Sequence, residues 1–119
     1  MSDSFSLADL EAIVAARASA DAGASYTRSL LDKGASGVKV FLMGDAAACA
    51  HGGQKVPQGY YNIADMLGGV LRRGGAVSVC GSCMDARGIT ADELVAGAER
   101  GSMDVLSAWT ADADKVIVF

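Results

Sequence analysis

The sequence predicts an α/β protein with a mainly parallel sheet, arranged as a three-layer sandwich. Two observations carry that prediction. After Gly34 the apolar patterning alternates strand, helix, strand, helix, strand, and strands separated by helices read as crossover units of a parallel sheet. The runs Val38-Lys39-Val40-Phe41-Leu42-Met43 and Ala76-Val77-Ser78-Val79-Cys80 are rich in valine and almost wholly apolar, as expected of strands covered on both faces. Such sheets carry their sites beyond the carboxyl ends of the strands. Asp45, Cys49 and Cys80 stand at or just after such ends.

The elements follow in order. Ser6 with Asp9 three residues later resembles a helix start. Leu7, Leu10, Val14 and Arg17 keep helical spacing, with Ile13 beside them, so a helix is expected from about Leu7 to Ala18. Asp21 to Ser25 is small and polar, a break or a second N-cap. Tyr26, Leu30 and Leu31 resume helical spacing, and Gly34 is placed to stop that helix. The first clear strand, Val38 to Met43, ends at Gly44-Asp45. Ala46 to Ala50 reads as a short helical turn, and His51 to Tyr60, with three glycines and the only proline, as a loop. Asn62 caps the next helix, in which Ile63, Met66, Leu67, Val70 and Leu71 form the cleanest amphipathic stripe. Gly74-Gly75 stops it before the strand Ala76–Cys80. Thr90-Ala91-Asp92-Glu93 is a capping box expected to start a helix containing Leu94, Val95 and Ala98. Ser102 caps a further short helix with Val105, Leu106 and Trp109, and Lys115 to Phe119 closes the chain as a strand.

The 119 residues suit one domain, 1–119. Hydrophobic residues make up 51% of the chain and mean hydropathy is +0.29. No apolar run approaches the ~20 residues of a membrane helix, so the apolar surplus predicts burial between subunits of a homo-oligomer rather than a membrane. Net charge is -4, and the chain has no basic run, which argues against nucleic acid as a partner. The N-terminus lacks the basic start and long apolar core of a secretory signal. Three cysteines, two of them three positions apart, are unlike the even, spread set of a disulfide-stapled secreted domain. A reducing cytosol is the expected compartment.

From about Leu30 to Phe119 the chain resembles the DsrE/DsrF-like family of small sulfur-relay proteins. The resemblance rests on Val38 to Asp45, on Gly53-Gln54-Lys55-Val56-Pro57-Gln58-Gly59-Tyr60-Tyr61-Asn62, on Cys80-Gly81-Ser82-Cys83-Met84-Asp85-Ala86-Arg87-Gly88, and on Trp109 to Val116. It implies an α/β fold, oligomeric assembly, and passage of sulfur between donor and acceptor proteins as a cysteine persulfide, with no cofactor. The family's conserved cysteine falls at Cys80, and Cys83 matches a subset carrying C-x-x-C.

The first third departs from that pattern. Phe5 to Arg17 and Ser25 to Gly34 look like the start of phosphoribosyl-ATP pyrophosphohydrolases, an all-helical family. The glutamate pair that holds magnesium there is missing, so that activity is not expected. The chain reads as a junction: an atypical helical segment, 1–34, on a family-like core, 35–119, whose sheet lacks the family's first strand. The alternative is that Ala12-Ile13-Val14-Ala15 is a worn version of that strand.

A sulfur carrier needs a thiolate that attacks an electrophilic sulfur and then holds it, so its site should lower a thiol pKa. Cys80 is the candidate nucleophile. Cys83 is a second thiol, able to close a disulfide with release of sulfide or to act as a second acceptor. Arg87 is a candidate stabiliser of the thiolate, and Asp85 is expected to pair with Arg87 or cap a turn. Against this stand two small buried cysteines with no chemistry, a non-catalytic oligomeric interaction module of the same fold, a thiol-disulfide protein using Cys80 and Cys83, and a zinc site adding Cys49 and His51 to that pair. Lys55, Tyr60, Tyr61 and Asn62 read first as loop packing and an N-cap. Met43, Met66, Met84 and Met103 read as core or interface residues.

Overall fold

In the computed structural model the described residues are 10–14, 17–34, 37–55 and 62–118. The first element is strand β1, Leu10–Val14, followed by helix α1, Arg17–Asp32. Strand β2, Lys39–Leu42, leads into a 3-10 segment, Gly44–Ala50, and then helix α2, Ile63–Arg72. Strand β3, Ala76–Cys80, runs directly into the short helix α3, Gly81–Ala86. A 3-10 turn, Ala91–Glu93, precedes strand β4, Glu99–Gly101; helix α4, Met103–Asp112, and strand β5, Lys115–Val118, complete the order.

The strands form one sheet in the order β4-β3-β2-β1-β5, and every pairing is parallel. The chain thus steps outward from β1 through β2 and β3 to β4, then returns across the sheet to β5. Right-handed crossovers place connections that step one way on one face and the returning connection on the other. The packing agrees. Helices α1 and α2 lie against each other and against the 3-10 segment. On the opposite face Trp109 of α4 meets Phe41 edge-on, with ring centroids 6.2 Å apart, and Lys39 Nζ lies 5.7 Å from the Trp109 ring. Alternation along β2 produces this division: Val40 and Leu42 enter the main core with Val77, Val79, Leu67, Val70 and Met84, while Phe41, also fully buried, faces α4.

Several local signals hold. The Asn62 side chain accepts the Asp65 N–H at 3.2 Å and caps α2. Ser102 does the same for α4 through Val105. Gly34 follows α1 with φ of 94°, the left-handed conformation that ends helices.

Three expectations are corrected. The helix expected over about Leu7 to Ala18, and with it a sheet lacking an opening strand, is replaced at residues 10–14 by β1, paired in parallel between β2 and β5. A short apolar run such as Ala12-Ile13-Val14 has no periodicity of its own to decide between helix and strand. Two neighbouring strands with open hydrogen-bonding edges decide it here. Leu7 to Asp9, Ala15 and Ala16 lie outside the described residues. The break expected at Asp21 to Ser25 is absent, since α1 runs through it; the alanines there favour helix enough to carry Gly23, a cost of about 1 kcal/mol. The helix expected after Thr90 shrinks to the turn Ala91–Glu93. The capping box forms, with Thr90 N–H donating to Glu93 Oε1 at 2.8 Å. However, tertiary partners claim the next backbone groups. Val95 N–H bonds Ala50 O at 2.8 Å, Glu93 O accepts from Gly52 N–H at 2.7 Å, and Gly97 adopts φ of 95° before β4.

Candidate functional site

The carboxyl end of β3 delivers Cys80 to a junction of three elements. The strand is buried along almost its whole length, and Cys80 itself is 6% exposed. The chain turns there into α3, and one helical turn brings Cys83 back over Cys80. The Cys83 thiol donates to Cys80 Sγ at 2.8 Å. Ser82 Oγ lies 3.4 Å from the same sulfur. Cys83 Sγ accepts the Gly44 N–H at 3.1 Å, so the end of β2 contributes as well. Gly44 has φ of 61°, a conformation that turns its N–H toward the sulfur at little cost only without a side chain.

These contacts split the two thiols. Burial pushes Cys80 up, but hydrogen bonds from the Cys83 thiol, the Ser82 hydroxyl and the backbone N–H groups of Cys83 and Ser82 together outweigh it and hold it below the ordinary thiol value. Burial and its own donation to Cys80 push Cys83 up; the Gly44 N–H and the Arg87 charge oppose this only in part. The thiolate is therefore favoured on Cys80 over Cys83, and such closely coupled thiols titrate as a unit.

Two ion pairs frame the site. Arg87 donates to Cys83 O at 3.1 Å and to Asp45 at 2.5 Å, tying α3 to the exit of β2. Asp85 pairs with Arg100 of β4 through two bonds of 2.7 and 2.9 Å. The expected Asp85–Arg87 pairing is thus corrected: Asp85 takes Arg100 of β4, and Arg87 takes Asp45 of the 3-10 segment after β2. The Asp85 carboxyl is held below its ordinary value chiefly by the Arg100 hydrogen bond. A cleft of about 290 Å³ opens beside Cys80, walled by Gly81 and Ser82 on one side and by Arg100 to Met103 on the other. Larger depressions of about 370 and 550 Å³ lie on the α2 surface and contain no thiol.

The remaining candidates fall elsewhere. Cys49 is fully buried in the main core. His51 faces Gly52 O at 2.8 Å and Glu93 at 3.4 Å. Among the described residues no group of three or more His, Cys, Asp or Glu side chains is placed to hold a metal, so Cys49 and His51 do not join the pair. Asn62 serves as a cap and donates to Gln54 O at 3.1 Å; Lys55 is exposed, and Tyr60 and Tyr61 lie outside the described residues. Arg100, Ser82 and Gly44 escaped the sequence reading. Only the extended signal of the C-x-x-C segment pointed near Ser82; the other two arrive through the sheet.

The family model of the DsrE/DsrF-like family matches residues 6–119. Protein YchN of Escherichia coli is 40% identical over 82 residues, 69% of either chain. The crystal structure of that protein superposes with a TM-score of 0.83 at 33% identity, covering 92% of this chain and 97% of the other. A phosphoribosyl-ATP pyrophosphatase of Azorhizobium caulinodans is 82% identical over 34 residues, 29% of this chain and 31% of its own length. That short match fits the resemblance of the N-terminal segment and the reading of a junction. No helix among the described residues is long and apolar enough to cross a membrane.

Proposed function

Because the chain belongs to the DsrE/DsrF-like family, we propose that it is a sulfur carrier, holding and passing sulfur as a persulfide on Cys80. The observation that carries this reading is the 2.8 Å hydrogen bond from the Cys83 thiol to Cys80 Sγ, which favours a thiolate on Cys80. That thiolate attacks the terminal sulfur of a donor persulfide. The donor's S–S bond breaks, the donor leaves as a thiolate, and the sulfur with its proton remains as Cys80–S–SH. An acceptor thiolate takes the sulfur by the same step.

Cys83 has two uses. While protonated it stabilises the Cys80 thiolate. Once Cys80 is loaded, Cys83 sulfur can attack Cys80 Sγ, closing the disulfide and releasing hydrogen sulfide. This second use is also what a thiol-disulfide protein would show, and the proximity of the sulfurs favours it as the second reading. Arg87 acts by holding α3 in place through Asp45 and Cys83 O rather than by touching the thiolate. Partners are donor and acceptor proteins, and no cofactor is needed. The exposed Met103, Val116 and Val118 support assembly with further copies of the chain. Three free thiols suit the cytoplasm.

The test is intact mass after incubation with a small neutral organic persulfide. The chain should gain one sulfur, keep the gain in Cys49→Ser and lose it in Cys80→Ser. A gain that survives Cys80→Ser sinks the assignment. Recovery of disulfide alone, with no loaded species at any time, favours the second reading.

A further inference from the structure

We propose that Arg100 is a specificity-determining residue, the anion-recognising wall of the Cys80 cleft, and that it selects small sulfur donors ending in an oxyanion, of which thiosulfate is the simplest. This rests on the reading of Cys80 as the sulfur-accepting thiol.

Four observations converge on Arg100. The cleft beside Cys80 is lined by Arg100 but not by Asp85, so the ion pair turns its positive end toward the thiol. A guanidinium has five N–H donors in a fixed fork. Asp85 takes one from each terminal nitrogen, and among the described residues no acceptor meets the other three. The side chain is also seated against the thiol's own backbone. A Cβ added at Gly81 would lie 2.8 Å from Cζ, Nε and Nη2 of Arg100, so the missing side chain next to Cys80 is what lets the guanidinium in. Finally, β4 is pinned in register. Arg100 pairs with Val79 and Gly101 with Cys80, and Gly101 packs so tightly that a Cβ there would fall 2.0 Å from Ser78 Oγ. Ser82 and Ser102 are two further polar residues of the walls.

A thiol beside a fixed, partly unused guanidinium fits a donor with an electrophilic sulfur next to a small anionic group. With thiosulfate, the Cys80 thiolate attacks the outer sulfur. The S–S bond breaks, and the inner sulfur leaves as sulfite with the bonding pair. Cys80 becomes a persulfide anion. Charge balances at three negatives on each side, and no external oxidant or reductant is required.

Two measurements test this. Iodoacetate and iodoacetamide alkylate the same thiolate and differ mainly in charge, so the ratio of their rates at Cys80, read by peptide mass, cancels any change in thiolate fraction. Arg100→Gln should lower that ratio roughly tenfold, the worth of one charge-assisted hydrogen bond, and Arg100→Lys should retain part of it. An unchanged ratio in Arg100→Gln overturns the proposal. In the second measurement, thiosulfate should load the unmutated chain and fail to load Arg100→Gln, while a neutral organic persulfide loads both. Equal thiosulfate loading of both proteins, or loading of the unmutated chain by the organic persulfide alone, overturns the anion role and leaves the carrier reading intact. Failure of the organic persulfide on the unmutated chain removes the carrier reading and this inference with it.

Discussion

Met84→Ala tests whether the core positions the reactive pair. Helix α3 has six residues, and Ser82, Asp85 and Ala86 are exposed. Met84, with no exposed surface, is its one large apolar anchor in the main core. Transfer of a fully buried methionine side chain is worth about 1.5–3 kcal/mol, and the cavity left behind raises the cost of truncation to about 2–5 kcal/mol. A loss near 3 kcal/mol is expected, a large share of the ~5–15 kcal/mol that holds a domain together, with a Tm drop on the order of 10 °C. The same change frees α3 from the sheet and takes the Cys83 thiol away from Cys80. Urea unfolding gives the first quantity, and iodoacetamide kinetics at Cys80 against pH, well below the transition, give the second. The Cys80 profile should move to higher pH although Cys80 is unaltered. Met84→Leu, which conserves volume, should cost less than about 1.5 kcal/mol and leave the profile in place. An Ala variant destabilised as expected but with the original profile would refute the claim that Met84 positions the pair.

Cys83→Ala should move the pH profile of Cys80 alkylation to higher pH, because the thiol that helps hold Cys80 low is gone; stopped-flow alkylation checks it. The sign for stability follows. The lowered Cys80 value adds stability as pH rises from its folded value toward the ordinary thiol value, and the raised Cys83 value withdraws it as pH rises above that ordinary value. Unfolding measured across that range should therefore flatten in the variant. Gly101→Ala should cost roughly 1–3 kcal/mol by overpacking, since its Cβ would meet Ser78 Oγ at 2.0 Å and the Phe41 ring at 3.1 Å. Adding Ser78→Ala should recover much of the loss in a double-mutant cycle; additivity of the two changes would contradict that contact.

The parts legible in the sequence are those whose causes are local. Strand β3 and the placement of Cys80 at its end follow from the apolar run Ala76 to Val79. Helix α2 follows from its stripe and the Asn62 cap. Strand β1 was not legible because Leu10 to Val14 fits helical spacing as well as strand, and only pairing with β2 and β5 separates them. Strand β4 is three residues long and carries its meaning in contacts with β3. Cys83 was legible as a companion to Cys80 through its spacing. Arg100 was not, because its link to Asp85 and Gly81 spans elements that nothing in the local pattern joins. Arg87 was recognised as part of the segment, but the Asp45 bond that sets its task comes from the far end of β2.

The most direct test of the account is to locate the added sulfur in the unmutated chain. After brief exposure to an organic persulfide, alkylation to trap the species and fragmentation of the intact protein should place the extra sulfur on Cys80, with Cys49 unmodified throughout. An extra sulfur on Cys49, or a chain that never carries one, would contradict it.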